Sequence, residues 1–138
     1  MMNLTDNERD LLKNTWELFK EEPDNGRAIL ERLVEKYPKY VKWFPEKDMD
    51  KLTKMHVKSF TKVINFIDTN KKMYDKQVDK IIRKHKKEDV KIDMFDDFSE
   101  VLIEVLKEKI HPDDLTDEAI AAWRKLCQII IVHVGPGL

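Results

Sequence analysis

Ile81-Ile82-Arg83-Lys84-His85-Lys86-Lys87-Glu88-Asp89-Val90-Lys91-Ile92-Asp93-Met94-Phe95 is the stretch on which the reading of this chain turns. It begins near the end of a helical segment whose apolar positions are Val78, Ile81 and Ile82. His85 follows one turn after Ile81, on or beside the same face. Val90 lies five residues beyond His85 and Phe95 ten beyond it. A histidine on an apolar helix face is either a hydrogen-bonded core residue or, through the lone pair of its neutral ring, a ligand.

A second histidine has the same character. His56 lies on a separate helical segment beside Met55 and Phe60, 85 − 56 = 29 residues before His85. The other two differ. His111 precedes Pro112 in a turn and reads as solvated, and His133 follows the apolar run Ile129 to Val132. No tight cluster of cysteine, histidine and carboxylate offers zinc a tetrahedral set. Haem asks for less: one neutral imidazole, an apolar slot and few polar groups on the far face. Core packing selects the same residue types, so composition leaves both readings open.

The rest of the chain is organised around helices. Three glycines and five prolines in 138 residues leave few breakers. Thr5 and Glu8 form a capping box with Leu4 placed to staple it. Leu11, Leu12, Thr15, Trp16 and Phe19 then recur at helical spacing up to Pro23. A second helix, capped by Asp24 or Asn25, carries Ala28, Ile29, Leu33 and Val34. Tyr37 to Pro45 reads as a short turn of helix between prolines. A charged corner leads into a long helix ending near Asp68, with Leu52, Met55, Phe60, Val63, Ile64 and Ile67 apolar. The segment bearing His85 follows, then Ile92 to about Ile110 and Thr116 to about Val134. About seven helical segments of uneven length, in a single domain over residues 1–138, suit an all-α fold that encloses a pocket better than a regular bundle.

Charge and cysteine narrow the function. The 26 basic and 27 acidic residues leave a net charge of −1, with no field to draw nucleic acid or an anionic membrane. The lysine-rich stretch Lys71 to Lys91 reads as a solvated helix face. Cys127 is the one cysteine, so no intrachain disulfide forms. Met1-Met2-Asn3-Leu4 lacks the pattern of a secretion signal, and no apolar run reaches the ~20 residues of a membrane span. A cytoplasmic protein is expected.

Taken in order, these residues resemble the globin family, in particular invertebrate and insect-type single-domain haemoglobins. Lys13-Asn14-Thr15-Trp16 is similar to the tryptophan-bearing first helix, and Gly26 to the small residue where the second helix crosses the distal helix. Leu30 then falls on the distal pocket wall. Tyr37-Pro38 matches the start of the short third helix, and Trp43-Phe44-Pro45 the aromatic corner with its haem-stacking phenylalanine at Phe44. The stretch around His85 matches the proximal pattern, and Trp123 with the run after it the last helix. The resemblance implies one haem b with His85 as proximal iron ligand. Trp43, Phe44, His56, Phe60, Val63, Ile81, Val90, Phe95 and Phe98 would surround it. Lysines 47, 54, 58 and 62 include candidates for its propionates.

The distal register has two solutions. With His56 as the distal residue, Val57 takes the crossing position and Phe60 follows one turn later. With Ser59 there, Lys62-Val63 becomes a typical basic-aliphatic pair and Phe60 is forced into the crossing. His56 is preferred, because a hydrogen bond to a partly charged gas ligand contributes roughly 1.5–3 kcal/mol.

The resemblance implies reversible binding of dioxygen or another diatomic gas, for storage or transport, by a protein that is not an enzyme. Nitric oxide dioxygenation or peroxidase chemistry is the catalytic alternative. A six-coordinate gas-sensing globin is another, and a helical interaction module without haem a third. Assembly into a homo-oligomer stays open.

Overall fold

The computed structural model describes residues 3–138; Met1 and Met2, which entered the argument about a secretion signal, lie outside the described residues. Six α-helices follow in order: α1 (Asp6–Lys20), α2 (Asp24–Lys36), α3 (Met49–Phe66), α4 (Lys71–Lys87), α5 (Ile92–Lys109) and α6 (Asp117–Val134). Short 3₁₀ turns occupy Pro38–Trp43, Glu46–Asp48 and Gly135–Gly137, and no strand occurs among the described residues. With the turn at Pro38–Trp43, the helical segments fall where the hydrophobic periodicity puts them.

The helix starts have identifiable causes. Thr5 Oγ1 accepts from Glu8 N–H at 3.1 Å while the Glu8 carboxylate accepts from Thr5 N–H at 2.8 Å. That reciprocal pair satisfies two donors that the first turn leaves orphaned. Thr116 caps α6 through the N–H of Ala119, and Asn70 caps α4 through that of Met73. The α1–α2 corner departs from expectation. Pro23 holds the cap position of α2, and Asn25 turns its amide back to donate to the Phe19 carbonyl at 2.9 Å. It therefore caps the end of α1 rather than the start of α2.

Helix packing builds one core. α1 lies on α6, α2 on α5 and α3, and α4 on α3 and α6. Trp16 and Trp123 meet at 5.7 Å between ring centroids. Their indole N–H groups donate to Thr61 and Thr15, so neither polar atom is stranded. Truncating a buried tryptophan of this kind costs about 3–5 kcal/mol. No helix among the described residues is long and apolar enough to cross a membrane.

Two features position the region around His85 and His56. α4 ends in a Schellman motif: Val90 N–H donates to the His85 carbonyl at 2.9 Å and Asp89 N–H to the Lys86 carbonyl at 3.1 Å. Asp89 supplies the left-handed residue, at φ 57°, where glycine is usual. Trp43 closes the same end by donating its indole N–H to the Glu88 carbonyl at 3.0 Å. Between α2 and α3, Gly26 allows close approach. A Cβ there would stand 2.8 Å from Val57 Cγ2 and 3.1 Å from Thr53 Cγ2. Thr53 turns its methyl to this crossing and leaves its buried hydroxyl without a partner.

Candidate functional site

α3 and α4 each carry one histidine to the same cavity, which is open to solvent on one side. Phe44 enters from the corner, His56, Ser59, Phe60 and Val63 from α3, and Ile81 and His85 from α4. Met94, Phe95, Phe98 and Ser99 of α5, with Cys127, Ile130 and Ile131 of α6, complete the wall. The spacing explains the grouping, since residues three and four apart share a helix face.

His85 is oriented by its own helix. Its Nδ1–H donates to the Ile81 carbonyl at 2.7 Å, and Phe95 packs against the ring at 4.8 Å between centroids. Burial pushes the imidazole below its ordinary value; the Ile81 carbonyl opposes this and Lys84 adds to it. A neutral ring with Nδ1 protonated leaves the Nε2 lone pair bare.

His56 is held in the same manner. Its Nδ1 lies 2.8 Å from the Leu52 carbonyl oxygen. Phe98 stacks on the ring at 6.0 Å and 25°, and Phe44 packs against it at 5.9 Å. Burial again lowers its pKa, against the Leu52 carbonyl and with His85 and Lys84. Phe60 stacks on Phe98 at 5.8 Å and reaches Trp16 at the same distance, joining the cavity wall to the core.

The residues singled out from the sequence divide into two groups. Phe44, His56, Ser59, Phe60, Val63, Ile81, His85, Phe95 and Phe98 line the cavity. Trp43, Val90 and Leu30 lie outside its lining. Trp43 spends its N–H on the end of α4, and Val90 and Leu30 are buried in the core. Ser59 also takes a hydrogen bond from Gln77 Nε2 at 2.8 Å. At the crossing with Gly26 stands Val57, not Phe60. Of the remaining histidines, His111 is exposed, and His133 meets the Tyr74 hydroxyl at 2.7 Å.

Sequence reasoning missed the far wall. Cys127, Ile130 and Ile131 share one face of α6, but an apolar face reads the same whether it meets a neighbour or a cavity. Burial pushes the Cys127 thiol up to about 11, so it is uncharged.

A family model described as Globin matches residues 27–134. The chain belongs to the globin family. Among solved structures, this globin is similar to the haemoglobin of the botfly Gasterophilus intestinalis, with a TM-score of 0.81. The two share 18% identity over 95% of this chain and 96% of that one. At that identity the likeness is one of fold. No curated protein matches the chain.

The site fits haem on its own chemistry. It offers a neutral imidazole whose second nitrogen is tied to a carbonyl, as metal-bound histidines are. Its walls are mostly apolar, as the walls of cofactor sites are.

Proposed function

We propose that this globin binds one haem b through His85 Nε2 and takes up dioxygen reversibly, for storage or transport. The observation that carries the reading is the oriented, neutral His85 facing an apolar cavity that reaches across to His56. When bound, haem supplies an iron centre able to hold a diatomic gas and release it.

The chain's own residues do the rest. The Ile81 carbonyl fixes the His85 tautomer and raises the basicity of the ligating nitrogen. Phe95 limits rotation of the ring. Phe44, Phe60 and Phe98 exclude water and keep the surroundings of low dielectric, which disfavours charge separation at the iron. Apart from the two histidines, the polar side chains of the lining are Ser59, Ser99 and Cys127. With the thiol uncharged, that lining favours holding a gas over carrying out proton-coupled chemistry on it.

The haem-loaded, reduced protein should change its visible bands on exposure to dioxygen and return to the starting spectrum when the gas is removed, over repeated cycles. Complete conversion to the ferric form in the first cycle would contradict a reversible carrier.

A further inference from the structure

We propose that the outer face of α3 and α4 is a docking surface for an anionic phospholipid bilayer. The inference stands apart from the haem reading, and neither needs the other.

The charge of the chain is balanced in total but not in space. Residues 49–87, which span α3 and α4, hold 12 basic and 4 acidic side chains. The rest of the chain holds 14 basic and 23 acidic. The net charge of −1 therefore conceals a segment at +8 and a remainder at −9. The near-zero total that spoke against an anionic surface does not describe what such a surface meets.

Helical spacing gathers the positive charge further. At about 100° per residue, Lys51, Lys54, Met55, Lys58 and Lys62 fall within roughly 100° of the circumference of α3. On α4, Lys72, Lys76, Lys80, Arg83, Lys84 and Lys87 fall within roughly 120°, all of them exposed, and Met73 lies among them. Asp75 and Asp79 sit on the flank of α4, so no carboxylate enters either stripe. The two stripes lie side by side. Gln77 Nε2 donates to Ser59 Oγ at 2.8 Å and marks the seam between the helices. The cavity residues His56 and Ile81 lie on the inner side of that seam, and both stripes lie on its outer side.

This charge is not neutralised. The ion pairs of the two helices use Asp50 and the pair Lys71–Asp75, all outside the stripes. Across the molecule, Lys36 is spent on Glu100 and Glu104, and Arg32 on Glu108.

The chemistry of the face selects its partner. Nine of the ten stripe cations are lysines. Lysine is a mobile point charge suited to a diffuse anionic plane, whereas arginine's fork serves fixed bidentate recognition. The stripes carry no aromatic ring on which a base could stack. Their apolar members are Met55 and Met73, 37% and 38% exposed. Unbranched and flexible, these side chains can enter the headgroup–acyl boundary while lysine stems lie along it. A leaflet also presents negative charge across the full width of two helices. The acidic remainder is repelled by the same leaflet and turns the basic face toward it.

Each basic residue near an anionic leaflet multiplies binding roughly fivefold, and salt screens the effect. The test is sedimentation of the full chain with vesicles of three parts phosphatidylcholine to one of phosphatidylserine, and with phosphatidylcholine alone, over a range of salt. Binding is expected to the phosphatidylserine vesicles only, falling steeply as salt rises. Lys76→Glu combined with Lys80→Glu should weaken it about tenfold or more. Lys13→Glu combined with Lys107→Glu, at exposed positions outside the stripes, gives the same net charge and should leave binding within about twofold. The lipid and salt comparison uses the unsubstituted chain and stands whatever the variants do. Absence of binding to the phosphatidylserine vesicles at low salt overturns the proposal. So does an equal loss in the two paired variants, which would make the effect one of net charge. Tighter binding at matched salt to a duplex DNA oligomer than to the vesicles overturns it in favour of a nucleic acid.

Discussion

Gly26→Ala probes the helix crossing that determines which face of α3 looks into the cavity. The new Cβ would stand 2.8 Å from Val57 Cγ2, well inside ordinary contact, and 3.1 Å from Thr53 Cγ2. Val57 cannot simply rotate away, because a β-branched side chain in a helix has essentially one χ1 well. Overpacking of this kind costs about 1–3 kcal/mol. Alanine recovers up to about 1 kcal/mol of helix propensity over glycine. The variant should therefore lose about 0–3 kcal/mol, and the net figure alone is a weak test. The decisive quantity is the coupling with Val57→Ala, which removes the obstructing methyl. A double-mutant cycle from urea unfolding should give an interaction of about 1–3 kcal/mol, with the pair more stable than the single effects add up to. A coupling within about 0.5 kcal/mol of zero would refute the crossing. A coupling with Phe60→Ala in its place would move the crossing along α3 and restore Ser59 as the distal candidate.

Acid stability of the haem-free protein follows from the two cavity histidines. Burial holds both imidazoles below their ordinary value, so below about pH 6.5 the unfolded chain binds protons that the folded one does not. Stability present above that pH should be lost as pH falls, by up to ~1.4 kcal/mol per pH unit for each histidine. Urea midpoints between pH 7.5 and 5.5 should fall, and less so in His85→Leu; an equal slope in both proteins would count against the burial. The Cys127 thiol, buried and raised to about 11, should resist alkylation at pH 8 in the native protein and react rapidly in denaturant. Fast native labelling would place it at the surface. Asp89→Gly should stabilise the end of α4 by roughly 0.5–1 kcal/mol, since glycine adopts the left-handed conformation without strain. A lower urea midpoint would contradict the Schellman motif.

The helices were legible because caps and periodicity act locally. Thr5, Glu8 and Thr116 mark their helix starts in the sequence and do so in the fold. The short turn after Tyr37 is equally local, set by Pro38. The end of α4 was hidden because Asp89 stands where glycine would announce a cap. Asn25 misled for a similar reason: its side chain serves the helix before it, a choice that only tertiary geometry makes. At the site, His85 and its apolar neighbours could be read from spacing, whereas Trp43 could not be told from a pocket residue. Its indole finds the Glu88 carbonyl 45 residues away, and no local pattern encodes that. The distal register was undecided in the sequence because His56 and Ser59 both lie on the inward face of α3, and both reach the cavity. The close approach of Gly26 to Val57 comes from a different helix, and it is the crossing that the His56 register expects.

Whether His85 holds a haem is decided by titrating the haem-free protein with haemin and reading the Soret band. Saturation is expected at one haem per chain, with loss of tight, saturable binding in His85→Ala while that variant keeps its helical circular dichroism. Absence of a stoichiometric Soret band in the unsubstituted protein, or an unchanged titration and spectrum in His85→Ala, would contradict it.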